Sequence, residues 1–241
     1  MKKKGLLIGF MLLACASFAQ QSNTPYDFPV KPGSEKWQSF KSVDEMYAAC
    51  QIPSDVLSKL TTAALIQTCL NYPASTILLL QNTPQMSFGE WKQHFNGITA
   101  LLARKDAPAK LLDHYKAFDV KGYTRLRTEI EKGQYTFLVM MIDAIVVQEE
   151  IIGKMETAQK RQLLNKTLSN YNLIASDPLF GFVNQASTGR IIVKLAAALG
   201  DTSTKAMTAT QPMQEFVATG LLQDREAMMQ IIGKARAIAT R

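Results

Sequence analysis

From Ser42 to the C-terminus the chain is one helical segment after another, with almost no alternating pattern from which a sheet could be built. That succession constrains the fold more than any other feature. Ser42-Val43-Asp44-Glu45 and Ser87-Phe88-Gly89-Glu90 are capping-box patterns, in which a hydroxyl and a carboxylate three residues apart satisfy free N–H groups of a first turn. Pro53, Pro73, Pro84, Pro108, Pro178 and Pro212 fall at segment starts or breaks, where a residue lacking an N–H is tolerated. The pattern predicts short helices over 43–50, 54–60, 62–71 and 88–96. Longer ones are predicted over 107–117, 123–131, 134–153, 157–175, 187–199, 212–220 and 224–239.

Two of these segments carry the most information. Phe137-Leu138-Val139-Met140-Met141-Ile142 could pass locally for a strand, but the apolar run continues through Asp143 and Ile145 to Ile152 without a turn signal. It therefore reads as a helix apolar on most of its circumference, placed centrally and wrapped by its neighbours, while Asp143 argues against a membrane span. In the last segment Met228, Ile231, Ile232, Ala235 and Ile238 lie on one stripe. Asp224 and Glu226 stand at its start, and Lys234, Arg236 and Arg241 near its end, complementing the helix dipole. The expected fold is all-α: an irregular multi-helix domain, or a degenerate α-solenoid, of about ten helices without a repeat of fixed period.

The start of the chain is of a different kind. Lys2, Lys3 and Lys4 precede a short apolar run over 5–14, and Ser17 and Ala19 supply small residues at −3 and −1 of a cut before Gln20. That is the layout of a secretory leader, and the run is about half the ~20 residues that cross a bilayer as a helix. A second reading competes. Leu12-Leu13-Ala14-Cys15 fits a lipobox, in which Cys15 becomes an acylated N-terminus that tethers the product to a membrane. Either reading implies export, to the periplasm, the cell surface or the medium, with lipid anchoring at Cys15 as the alternative to a free product. The expected organisation is a signal peptide over 1–19, an extended linker over 20–41 and a helical domain over 42–241. The linker is polar and carries three prolines, Pro25, Pro29 and Pro32.

Charge narrows the partners. The formal net charge is +7, and three of those charges belong to Lys2, Lys3 and Lys4, so the chain from residue 20 carries +4. Basic residues are interleaved with acidic ones, as in Arg125, Arg127, Glu129, Glu131 and Lys132, and no basic block tracks phosphates. Nucleic acid is not an expected partner. Past the leader only Cys50 and Cys69 remain, an even pair in a chain expected to enter an oxidising space. A bond between them would close a loop of about 20 residues and stabilise the fold by roughly 3 kcal/mol. The alternative is two buried free thiols in neighbouring helices.

Catalytic signatures are missing from the sequence. It contains no H-E-x-x-H, no G-x-S-x-G, no S-x-x-K and no glycine-rich phosphate loop, and no cofactor or metal is expected. Glu90 with His94, and Asp113 with His114, are the two acid/imidazole pairs. They read as ordinary helix-surface neighbours, or as the seeds of a hydrolytic or metal-dependent site assembled around His94 and His114. The stretch from Tyr171 through Asp177-Pro178-Leu179-Phe180-Gly181-Phe182 is the candidate contact surface, through Tyr171, Phe180 and Phe182. The same aromatics could instead plug the core from a loop.

The block from Trp37-Gln38-Ser39-Phe40 through Ala49-Cys50-Gln51-Ile52-Pro53 to Cys69-Leu70-Asn71-Tyr72-Pro73 resembles the opening of an uncharacterised family of exported all-helical proteins. Its members belong to Gram-negative anaerobes of the Bacteroidota type. The similarity continues through Phe95-Asn96-Gly97, Leu102-Ala103-Arg104-Lys105-Asp106-Ala107 and 148–155. The resemblance implies an envelope location and a helical fold, and no activity. The chain is thus expected to be a non-enzymatic binding or scaffold module of the bacterial envelope. Its partner would be a protein or envelope component, and it would meet a membrane only if lipidated. A small-ligand carrier would need a large apolar cavity among the helices.

Overall fold

The computed structural model describes residues 21–240. The expected signal peptide over 1–19 and the lipidation candidate Cys15 lie outside the described residues. Within them there are fourteen α-helices and no strand. The first half holds α1 (Glu35–Gln38), α2 (Val43–Ala49), α3 (Ser54–Leu57), α4 (Thr62–Leu70), α5 (Pro84–His94), α6 (Asn96–Ala103) and α7 (Ala107–Ala117). The second holds α8 (Glu129–Val146), α9 (Glu149–Ile152), α10 (Thr157–Ala175), α11 (Phe182–Leu199), α12 (Thr202–Thr208), α13 (Gln211–Thr219) and α14 (Arg225–Ala239). Single 3-10 segments over Ser75–Leu80 and Val120–Arg125 join neighbouring helices. No helix among the described residues is long and apolar enough to cross a membrane.

The two halves share one core. α11 packs against α8, α10, α12, α13 and α14, while α4, α5, α6 and α7 pack among themselves; α5 against α8 and α7 against α10 close the seam. A continuous cluster of buried side chains runs from Phe28 to Ile238. The apolar stripe of α14 is buried as its spacing predicts, from Met228 to Ile238. Each such Ile removed from water contributes on the order of 2 kcal/mol.

The central helix is α11, not the 134–153 tract. Ten α11 residues are buried, including the unbroken run from Thr188 to Val193. Helix α8 starts earlier than its apolar run, at a capping box between Thr128 and Glu131, and buries only its C-terminal part, from Val139 onward. Its first turn is out in solvent, where Ile130 is 75% exposed. The tract also breaks after Val146. The Gln148 side-chain amide donates to the Ala144 carbonyl at 2.7 Å, taking up an acceptor that a continuing helix would have used, and Gln148 then N-caps α9.

Residues 21–41 form no regular element apart from α1, turning at Gly33, and they are packed onto the helices. Ser22 exchanges backbone hydrogen bonds with Lys59 and Thr61, and the Tyr26 N–H donates to Thr68 Oγ1 at 2.9 Å. Phe28 is buried in the main core. From there a run of aromatic contacts extends inward: Phe28 on Tyr72 and Phe95, Tyr72 on Phe95 at 4.3 Å and on Trp91 at 6.4 Å, and Trp91 on Phe88. These rings lock the wall against which the candidate site forms.

Candidate functional site

Three helices distant in sequence, α5, α8 and α11, face one another across a cavity of about 370 Å³. α5 is positioned by its start. Thr83 Oγ1 accepts from the Met86 N–H and Pro84 occupies the first turn, so Phe88 and Trp91 turn inward toward α8. α8 presents Phe137, Met140, Met141, Asp143 and Ala144, and α11 presents Phe182, Val183, Ala186, Ser187 and Arg190. Leu79 and the turn 220–222 complete the rim. That turn begins at Gly220, which ends α13 in the left-handed region at φ 84°. A Cβ there would come within 2.8 Å of Pro84, so only glycine lets the turn lie against α5.

The cavity is apolar at its edge and mostly apolar within, with a few polar groups set into its wall. Leu79, Phe182, Val183 and Leu221 are all exposed to solvent. Asp143 and Arg190, by contrast, are 2% and 6% exposed. Asp143 accepts from Tyr115 Oη at 3.0 Å and from Thr188 Oγ1 at 2.7 Å. Burial outweighs those bonds and pushes its carboxyl up to about 7. Arg190 caps the end of α13: Nε donates to Val217 O at 2.8 Å, and Nη2 donates to Val217 O, Ala218 O and Gln85 Oε1. Burial lowers the guanidinium to about 10. Trp91, 2% exposed, lines the same cavity, and its buried Nε1–H has no hydrogen-bond partner among the described residues.

Of the candidate site residues expected from the sequence, Phe182 alone lines this cavity among the described residues. It stands 46% exposed at the rim, with the Arg225 guanidinium 5.8 Å from its ring. Tyr171 and Phe180 are corrected: both are buried and offer no surface to a partner. Tyr171 belongs to α10, whose buried face points into the core, and Phe180 plugs a small second cluster with Val120, Val139 and Ile174. The turn before α11 is pinned by an Asp177 side chain that accepts from Tyr123 Oη.

The two histidines stand on different helices. His94 on α5 stacks on Tyr47 at 4.3 Å and pairs with Glu90 at 3.4 Å. His114 on α7 has a buried Nε2 without a partner among the described residues, and burial lowers its pKa. No group of three His, Cys, Asp or Glu side chains that could hold a metal occurs among the described residues.

The expected Cys50–Cys69 bridge is absent as well; both residues are free thiols. Each is enclosed in the apolar core, Cys50 at the C-cap of α2 and Cys69 in the last turn of α4. Burial keeps both protonated, pushing the Cys50 thiol up to about 11 and Cys69 further. Iodoacetamide should therefore leave Cys50 and Cys69 unmodified in the folded protein and alkylate both after denaturation without reductant. Peptide mass mapping reads the result, and an unreactive pair in the denatured, unreduced chain would establish the bridge instead.

Asp143, Arg190 and Trp91 were not marked as site residues by their sequence context. The available signal was an isolated charge inside an apolar run, Asp143 after Met141-Ile142 and Arg190 before Ile191-Ile192-Val193. No known protein family, curated protein or solved structure matches the chain.

Proposed function

We propose that this chain is an exported binding module of the bacterial envelope, and that it holds a small apolar ligand between α5, α8 and α11. The observation that carries the reading is the cavity itself: about 370 Å³, apolar-lined, framed by helices that share one core, and opening between exposed apolar side chains. A soluble protein seldom leaves such a rim in water without a use for it. Export rests on the leader pattern of residues 1–19, with acylation of Cys15 as the route to a tethered product.

The neutral fluorophore N-phenyl-1-naphthylamine is an apolar probe of suitable size. Its emission should rise on titration with the protein and saturate at one site. Ala144 lines the cavity from α8, so Ala144→Phe fills the space and should weaken binding at least about tenfold. No saturable enhancement, or equal binding by a folded Ala144→Phe variant, overturns the assignment.

A further inference from the structure

The cavity's polar groups are unbalanced in one direction. Arg190 is a buried cation, and no carboxylate lies within ion-pair distance of it among the described residues. Its Nε and Nη2 are used on the α13 carbonyls and Gln85, whereas no hydrogen bond to its Nη1 is present among the described residues. Carbonyl dipoles at a helix C-terminus moderate a positive charge without neutralising it. The second unmet group, Trp91 Nε1–H, is also a donor, and it belongs to a side chain that is 2% exposed. Asp143, the one acid lining the cavity, already has both carboxyl oxygens engaged by hydroxyls. What this interior lacks is an acceptor carrying negative charge, and what its exit offers is apolar surface.

We infer that the ligand is a single-chain amphiphile with a carboxylate head, a medium-chain monocarboxylic acid. Its head sits on Arg190 and Trp91, and its hydrocarbon chain runs out past Phe182 and Leu221. The inference rests on the binding-module reading and specifies its ligand class. The uncommitted Nη1 of Arg190 can donate to a carboxylate oxygen, and such charge-assisted bonds strengthen where water is excluded. The chain would cover rim residues that now face solvent.

Decanoate and decan-1-ol share a chain length and differ in the head, so calorimetric titration of the full chain with each separates the two claims. Decanoate should bind at least about tenfold more tightly than the alcohol. That preference should vanish in Arg190→Met, with folding checked by circular dichroism. It should fall several-fold in Trp91→Phe, which removes the unmet N–H together with the five-membered ring; the decan-1-ol affinity of the same variant accounts for the lost volume, so the test survives if loss of the α13 cap unfolds the arginine variant. Equal affinities for the two probes would overturn the carboxylate assignment and leave the apolar site standing. Binding of neither probe, together with no fluorophore binding, would overturn both.

Discussion

Between about pH 4 and about pH 7.5 the unfolding free energy of the wild-type protein should drop by about 4 kcal/mol relative to an Asp143→Asn variant. The cause is the burial of one carboxyl. Its folded-state value is about 7, against 3.8 for an unperturbed aspartate. Well below pH 3.8 both the folded and the unfolded chain hold the proton, and the neutral group is accommodated in full. As pH rises the unfolded chain releases its proton first, so stability is lost with a slope approaching 1.4 kcal/mol per pH unit until the folded state also ionises near 7. Burying a charge in place of a neutral acid is what the protein then endures.

The surroundings fit a neutral Asp143. A protonated carboxyl can donate to Tyr115 Oη, and that hydroxyl also lies within hydrogen-bonding reach of Thr167 and Asn170. Asn170 Oδ1 is a buried acceptor without a partner among the described residues, so a Tyr115 proton released from Asp143 has somewhere to go once the amide turns. Other groups bend the wild-type curve. Burial lowers His114, which removes stability as pH falls through the histidine range, and hydrogen bonds lower Glu150, which adds stability as pH rises above the carboxylate range. Both are present in the variant, so the difference between the two urea-unfolding series isolates Asp143. Parallel series across this range would show that Asp143 does not carry a raised pKa.

Helix identity was legible wherever an amphipathic period ran undisturbed. The stripe from Met228 to Ile238 and the cap at Ser42 stand where their spacing puts them, and Ser42 Oγ accepts from the Glu45 N–H at 3.2 Å. Boundaries failed where two signals competed. The Ser87–Glu90 pattern predicts a start at 88, yet Thr83 and Pro84 open the helix four residues earlier. A Thr cap followed by Pro outcompetes a capping box that lies one turn inside. The 187–199 helix likewise begins at Phe182, because Asn184, Ser187 and Thr188 hide an apolar face that their own partners satisfy: Asn184 Nδ2 donates to Thr136 O, and Thr188 to Asp143. The cavity had no such local signature. Its walls come from three separate helices, and the spacing between them is a property of packing. What can be read locally is only that Asp143 and Arg190 are charges where neighbours are apolar.

Helix α6 shows the same lesson in energetic form. The helix predicted over 88–96 ends at Asn96; in the fold Asn96 instead begins a new helix while its side chain braces another loop. Oδ1 accepts from the Ile52 N–H at 3.0 Å, and Nδ2 donates to Ile52 O at 2.7 Å, so one amide satisfies both backbone groups of a residue that is 2% exposed. The Asn96 N–H in turn donates to Gln51 Oε1, and Gln51 Nε2 donates to the carbonyls of Tyr47 and His94. This bracket ties the 50–53 loop to the α5–α6 junction without any covalent link. Asn96→Ala should lower unfolding stability by about 3 kcal/mol, since two buried backbone groups lose their partners at roughly 1–3 kcal/mol each and the site relaxes in part. Asn96→Asp keeps the acceptor but loses the donor facing Ile52 O. It should match the alanine variant near neutral pH and recover near pH 4, where a protonated carboxyl donates again. Gln67→Ala, which removes an exposed side-chain bond to Asn71, should shift stability by less than about 0.5 kcal/mol. Urea midpoints for the three variants decide the matter: an Asn96→Ala loss no larger than that of Gln67→Ala would mean that the bracket contributes nothing, and that apolar packing around Ile52 alone holds the junction.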